Sequence, residues 1–182
     1  MAAGNTPNEN ECLKIMKTCN MFPNIIAHSI QVKNVAAAIA DNLKPDIIIN
    51  KELVIAGALL HDIGKTKSII EKNYRHDLMG SAMLREMGLN DEAFICETHV
   101  IMTDFSETGP LLEAEIVHYA DKRVKHDTVV SLDERLKDLI ERYGTTYEKR
   151  QFIKKERLFV EKLEKKICAY MNVDMETALS CL

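Results

Sequence analysis

Six residues of this chain carry side chains suited to metal chemistry: His28, the adjacent pair His61-Asp62, His76, His99 and Asp121. The pair follows the apolar run Leu53-Val54-Ile55-Ala56-Gly57-Ala58-Leu59-Leu60 and precedes Ile63-Gly64-Lys65. A histidine beside a carboxylate at the end of a buried helix is hard to explain as packing, because both groups are costly to desolvate without partners. Together they aim nitrogen and oxygen donors at one place, as a divalent metal requires. His28 lies on an apolar helical stripe, where a lone histidine is more often satisfied by a backbone carbonyl than by a ligand. Asp121 shares a helix face with Val117 and Val124; its plainer reading is an ion pair with Lys125 at i,i+4. His118, one turn earlier, is a rival ligand. His76 and His99 are candidates for a second metal position, and His126 is expected to be exposed.

The elements that must position these groups are helical. Apolar residues recur at spacings of three and four, and alternation of period two is absent. A short helix is predicted over 9–19. The next starts at Pro23, a favoured first-turn residue, and runs to about Leu43 with a stripe of Ile25, His28, Val32, Val35, Ile39 and Leu43. Asn50 caps a third helix ending near His61, after which Gly64 is expected to let the backbone turn sharply. A short connection makes the second and third helices antiparallel neighbours, so His28 and His61 can meet. Residues 66–76 read as a loop, Asp77 to Gly88 as a helix, and Asn90 as the cap of another. Thr103 to Pro110 is loop-like and a helix follows over about 111–125. Capping boxes at Ser131/Glu134 and Thr145/Glu148 start a helix closed by Gly144 and a long one to about Met171. The whole of 1–182 reads as a single domain, with a core over about 20–130 and a C-terminal helical extension over about 131–182.

Composition narrows the function classes. The chain has 182 residues, 46% hydrophobic, a net charge of -4, nine Met and no Trp. That balance suits a soluble protein with a localised site better than a dedicated nucleic-acid binder. Five cysteines without a C-x-x-C pair argue against a structural zinc site or a disulfide framework. The first seven residues lack the regions of a signal peptide, and no apolar run is long enough to span a membrane; a cytoplasmic location is expected. Gly-rich phosphate loops are absent.

His28, His61-Asp62 and Asp121, in that order, resemble the H…HD…D signature of the HD-domain phosphohydrolases, and the string His61-Asp62-Ile63-Gly64-Lys65 resembles the HDIG variety. Tyr119-Ala120-Asp121-Lys122 is similar to the stretch around that family's last aspartate. The resemblance covers roughly residues 20–130. It implies an all-α fold, a helical bundle with the metal site between its helices, and a metal-dependent phosphohydrolase. The substrate would be a phosphomonoester or phosphodiester, such as a nucleotide, cleaved by a metal-activated water. With His76 and His99 the pattern becomes H…HD…H…H…D. It then resembles the dinuclear diadenosine tetraphosphate hydrolases and cyclic-dinucleotide phosphodiesterases, although His76 follows the pair closely and the doubled histidine and GYP string of cyclic-di-GMP enzymes are missing. On that reading His28, His61, Asp62 and Asp121 hold one ion, and Asp62 bridges to a second completed by His76 and His99. A set without thiolate favours Mn, Fe, Co, Ni or Mg. Imidazoles ligate only when neutral, so activity should fall below about pH 6.

Asp62 and Lys65 are the expected catalytic groups, Lys65 also binding phosphate as a point charge. Arg75, Lys122 and Arg123 are further candidates for substrate phosphate. The alternative is a catalytically silent module that binds metal or nucleotide. From Glu148 to Lys166 eight basic residues face four acidic ones, a net +4 that leaves the remainder near -8. Its plain reading is a docked helix with a solvated face; sharper readings are an RNA contact, which is not favoured, or a dimer contact.

Overall fold

Caps and apolar stripes place most helices close to their expected positions. The computed structural model describes residues 6–182; Met1–Asn5, the start of the segment read as lacking a signal peptide, lie outside the described residues. Helix α1 (Glu9–Thr18) opens on a reciprocal box in which Asn8 accepts from the Glu11 amide and Glu11 from the Asn8 amide. Helix α2 (Pro23–Asp41) starts on its proline and α3 (Lys51–Leu60) on Asn50, whose side chain accepts from the Leu53 amide. Then come α4 (Lys65–Ile70), α5 (His76–Glu86), α6 (Asn90–Thr98) and α7 (Glu113–Lys122). A two-residue hairpin, β1 (Val124–Lys125) with β2 (Thr128–Val129), precedes α8 (Leu132–Tyr143), α9 (Tyr147–Ala169) and α10 (Met175–Leu179). The fold is all-α apart from this hairpin.

The departures have physical causes. Helix α4 occupies the expected loop; it has only six residues and leaves Ile69 and Ile70 exposed, so no stripe announces it. Strands of two residues carry no alternation. Asn90 is the first helical residue of α6, not its cap, and α9 is capped by Thr146, not Thr145. Gly64 has an ordinary φ of -79°. Its glycine is required instead by proximity, since a Cβ there would lie 2.4 Å from both the Gly80 amide nitrogen and the His76 carbonyl oxygen.

Helix α2 packs on α3 and α7, and α5 on α6. One apolar cluster joins Val32, Val35 and Ile39 of α2, Val54 of α3, Ile116 and Val117 of α7, Leu163 and Ile167 of α9 and Leu179 of α10. A second joins Cys12, Met16, Ile25, Leu59, Leu60, Ile63, Leu84 and Cys96. The C-terminal helices therefore share a core with the elements before them. A backbone bridge between Leu43 and Met171 secures the far end of α9 to that of α2. Lys166, counted with the basic face of α9, is buried: its ammonium donates to Glu115 at 2.7 Å and to the Pro110 carbonyl at 2.9 Å. All five cysteines are unpaired, and among the described residues no helix is long and apolar enough to cross a membrane.

The contact between the start of α4 and α5 fixes the distance from Asp62 to His76. Gly64→Ala should overpack it and cost about 3 kcal/mol, measured as a lower urea midpoint; a change under about 0.5 kcal/mol would show that the two backbones can separate freely.

Candidate metal centre

Burial forces the site together. His61 and Asp62 follow the last residue of α3 and are 0% and 1% exposed. His28 comes from α2, His76 from the first position of α5, His99 from the end of α6 and Asp121 from the last turn of α7. His28 Nε2 lies 2.9 Å from Asp121 Oδ1 and 4.0 Å from Asp62 Oδ2. His61 Nε2 lies 3.5 Å from Asp62 Oδ2 and 3.8 Å from Asp121 Oδ1. The other Asp62 oxygen, Oδ1, faces His76 Nε2 at 3.3 Å and His99 Nε2 at 3.5 Å, and those two nitrogens are 3.2 Å apart. Donor atoms that share an ion at about 2.1 Å are about 3–4 Å from one another, so both groups fit a first-row divalent cation. The two oxygens of Asp62 divide between the groups.

The polar bookkeeping fits an ion equally well. His61 Nε2 and Asp62 Oδ1 are shut away from solvent without a hydrogen-bond partner among the described residues. An unsatisfied buried polar group costs about 1–3 kcal/mol, and a cation would satisfy both. Three rings are oriented through Nδ1. His61 bonds the Ala58 carbonyl at 2.7 Å, His99 the Cys96 carbonyl at 2.6 Å and His28 the His126 carbonyl at 2.7 Å. Each contact makes Nδ1 a donor, which leaves the Nε2 lone pairs of His61 and His99 facing the cluster; His28 Nε2, at hydrogen-bond distance from Asp121 Oδ1, gives up its proton to ligate.

Electrostatics maintains the ligating forms. Burial pushes His61 down to about 3 and His76 to about 4, so both stay neutral in mildly acidic solution. Burial alone would raise the Asp62 and Asp121 carboxyls. The Lys65 ammonium overrides it at Asp62, and Lys122, the His28 hydrogen bond and Arg135 override it at Asp121, holding both well below the usual carboxylate range. Lys65 Nζ donates to Asp62 Oδ2 at 2.7 Å; Lys122 Nζ donates to Asp121 Oδ2 at 2.6 Å and to the His99 carbonyl at 3.0 Å.

The other cations differ. Arg75 forks onto the buried Asp77, donating at 3.0 and 2.8 Å, with its side chain half exposed. Arg123 is 3% exposed and donates to the Val130 carbonyl, the Tyr119 hydroxyl and Glu176. None of those partners belongs to the cluster, so this guanidinium braces α7 against α10 and takes no part in facing phosphate. His118 turns Nδ1 toward the Thr98 carbonyl at 3.1 Å and sets its ring edge-on to Phe159, outside both ligand groups. Asp121 is not paired with Lys125; that lysine approaches Asp138. Two contributors have no sequence signal. Arg135 of α8 brings Nη2 to 3.9 Å from Asp121 Oδ1. The His126 carbonyl reaches His28 from a hairpin turn with φ +57°.

Comparisons with known proteins identify the family. The family model for the HD domain matches residues 25–124. The chain is 36% identical over 146 residues to the tRNA (cytidine(56)-2'-O)-methyltransferase of Picrophilus torridus, covering 75% of this chain and 41% of that protein. It is 34% identical over 114 residues to the dihydroneopterin 2',3'-cyclic phosphate phosphodiesterase of Methanocaldococcus jannaschii, covering 54% of this chain and 45% of that enzyme. Ribonuclease Y of Rubrobacter xylanophilus is 29% identical over 119 residues, covering 64% of this chain and 22% of that protein. The chain thus spans less than half the length of each of these relatives. No solved structure matches.

Two measurements follow from the geometry. His126→Val puts a β-branched residue at positive φ and should lower stability by about 1–2 kcal/mol and metal affinity about tenfold. His126→Gly, which keeps the carbonyl, should retain most of the affinity in a calorimetric titration. The metal-free protein should also lose stability as pH falls from about 6.5 toward 4. Over that range the unfolded chain protonates His61, His76 and His118, whereas the fold refuses those protons; burial sets His118 near 3. The slope is roughly 1.4 kcal/mol per pH unit for each histidine, and urea midpoints independent of pH would contradict it.

Proposed function

Because the chain belongs to the HD-domain family, we propose that it is a metal-dependent phosphohydrolase acting on a small phosphorylated substrate, with a nucleotide phosphodiester the best fit. The observation that carries this reading is Asp62, whose two oxygens face two separate groups of Nε2 donors. His28, His61, Asp62 and Asp121 would hold one divalent ion, and Asp62, His76 and His99 a second. Ions so held supply Lewis acidity toward phosphoryl oxygens and ease the deprotonation of water. Mn, Fe, Co, Ni and Mg all suit a donor set of nitrogen and oxygen.

The chain's own residues do the rest. Rings locked through Nδ1 present fixed lone pairs, which keeps reorganisation small during reaction. Lys65, one turn after Asp62 and partly exposed, has its ammonium kept charged; burial opposes this, but Asp62 and Asp121 prevail. It binds a non-bridging phosphoryl oxygen, and Lys122 neutralises charge on the Asp121 side. Arg75, half exposed beside His76 in sequence, is the candidate for a second charged group of the substrate. Residues of the family match and the C-terminal helices act as one domain, because Leu163 and Ile167 complete the core that Val32 and Val117 begin. The phosphodiesterase relative favours a cyclic phosphodiester among the candidates.

The test is an assay of EDTA-stripped and metal-reloaded protein on bis-p-nitrophenyl phosphate, 2',3'-cyclic nucleotides, a dihydroneopterin cyclic phosphate and phosphomonoesters. Turnover should require added metal. Asp62→Asn should reduce it by about a thousandfold or more, and Lys65→Met by about tenfold to a hundredfold. Turnover that survives in Asp62→Asn, or metal binding without hydrolysis of any substrate, would overturn the proposal.

A further inference from the structure

Three cations stand at the rim of the metal cluster, and one of them has no role yet. His61 and Asp62 are sealed, whereas His76, Lys65, Lys122 and Arg135 each keep part of their side chains in solvent. The mouth of the site therefore lies among these four. Arg135 is the newcomer: it comes from α8, beyond the residues matched by the family model. Tyr143, near the other end of α8, is close enough to Lys65 to act on its charge. Helix α8 thus runs along the rim from the Asp121 side to the Lys65 side.

Arg135 is clamped at one nitrogen and uncommitted at another. Nη1 donates to Asp138 Oδ2 at 2.8 Å. Asp138 is buried, and its other oxygen lies 2.8 Å from Arg142 Nε, whose guanidinium also meets the His126 ring at 2.9 Å. The clamp is thereby fastened to the hairpin whose carbonyl orients His28. Arg135 Nη2 lies 3.9 Å from Asp121 Oδ1, too far for a hydrogen bond. It has no acceptor among the described residues, and it is not sealed from solvent as Nε is. Asp121 has nearer partners, His28 Nε2 at 2.9 Å on Oδ1 and Lys122 Nζ at 2.6 Å on Oδ2. Arg157, in α9, differs from Arg135. Its ion pairs run to Asp133 and Glu161, and none among the described residues reaches the donor set.

We propose that Arg135 is a phosphate-binding residue of the active site, its Nη2 donating to a non-bridging phosphoryl oxygen from the Asp121 side while Lys65 binds from the Asp62 side, and that Asp138 is the positioning residue that fixes it. The place of the phosphate rests on the phosphohydrolase reading. A guanidinium keeps its charge at any working pH and matches phosphate oxygens in geometry. Held through Nη1, it has little freedom left to lose when Nη2 meets an anion. An oxygen bonded to Nη2 falls beside Asp121 Oδ1, and two anionic oxygens that close need a cation between them, which the donor set is suited to hold.

Inorganic phosphate should be titrated calorimetrically into the full chain, loaded with Mn²⁺ and freed of excess metal, for the wild type, Arg135→Ala, Arg135→Lys and Asp138→Asn. Arg135→Ala should raise the Kd for phosphate about tenfold or more while Mn²⁺ affinity changes by less than about threefold. Arg135→Lys, which keeps the charge and loses the fork, should fall between. Asp138→Asn should weaken phosphate binding in the wild-type background and add nothing in the Arg135→Ala background, because it acts through that arginine. On bis-p-nitrophenyl phosphate, Arg135→Ala should raise KM more than it lowers kcat. No phosphate binding by the wild type, or an unchanged Kd in Arg135→Ala, would overturn the inference. So would a loss of Mn²⁺ affinity that accompanies the loss of phosphate in both Arg135 variants, since the arginine would then only brace Asp121. The titration needs no turnover. Phosphate binding that depends on Arg135, without hydrolysis of any substrate, would remove the phosphohydrolase reading and leave this role standing; hydrolysis with phosphate binding indifferent to Arg135 would do the reverse.

Discussion

A buried carboxylate that faces two ways is the constraint around which this molecule is arranged. Asp62 is 1% exposed, with imidazoles on both sides and the Lys65 ammonium against Oδ2. A charge so deeply placed is tolerable only when it is opposed: Lys65 meets Oδ2, and Oδ1 is left for a cation held among the imidazoles. That requirement fixes where α2, α5, α6 and α7 must end or begin. The backbone contact at Gly64 and Gly80 lets α5 come close enough for His76 to reach the carboxylate.

Helix ends solve a second problem at the same time. The last carbonyls of an α-helix have no intrahelical partner. His61 follows α3 and His99 follows α6, and each bonds through Nδ1 the carbonyl three residues earlier. One contact thus satisfies an orphaned helix carbonyl and sets the tautomer of an imidazole. It also explains why these histidines stand directly after their helices, where the chain still turns helically and the ring folds back on the terminal turn.

The all-α architecture was legible because α2, α3, α5, α7 and α9 carry stripes or caps that act locally. So was the chemistry of His61-Asp62, since an apolar run ending in two polar groups is a local contradiction. What escaped is non-local or too short to have a period. Helix α4 and the hairpin lack length for a pattern. The steric need for Gly64 depends on α5, which no neighbour in sequence announces. Arg123 resembled Lys122 in sequence, yet α7 turns one to the cluster and the other to Tyr119 and Glu176. Arg135 and the His126 carbonyl reach the site only through tertiary packing.

The bond from His28 to the His126 carbonyl spans 98 residues of chain, and that from His28 to Asp121 spans 93. Loop-closure entropy must be met before such contacts return anything. The donor set is therefore complete only once α2 has met α7 and the hairpin beyond it. A cation that binds the finished set stabilises the native chain as a whole by mass action, rather than a single helix pair. Metal occupancy would then report completed folding, and a piece cut at residue 124, where the family-model match ends, would lack the carbonyl that orients His28.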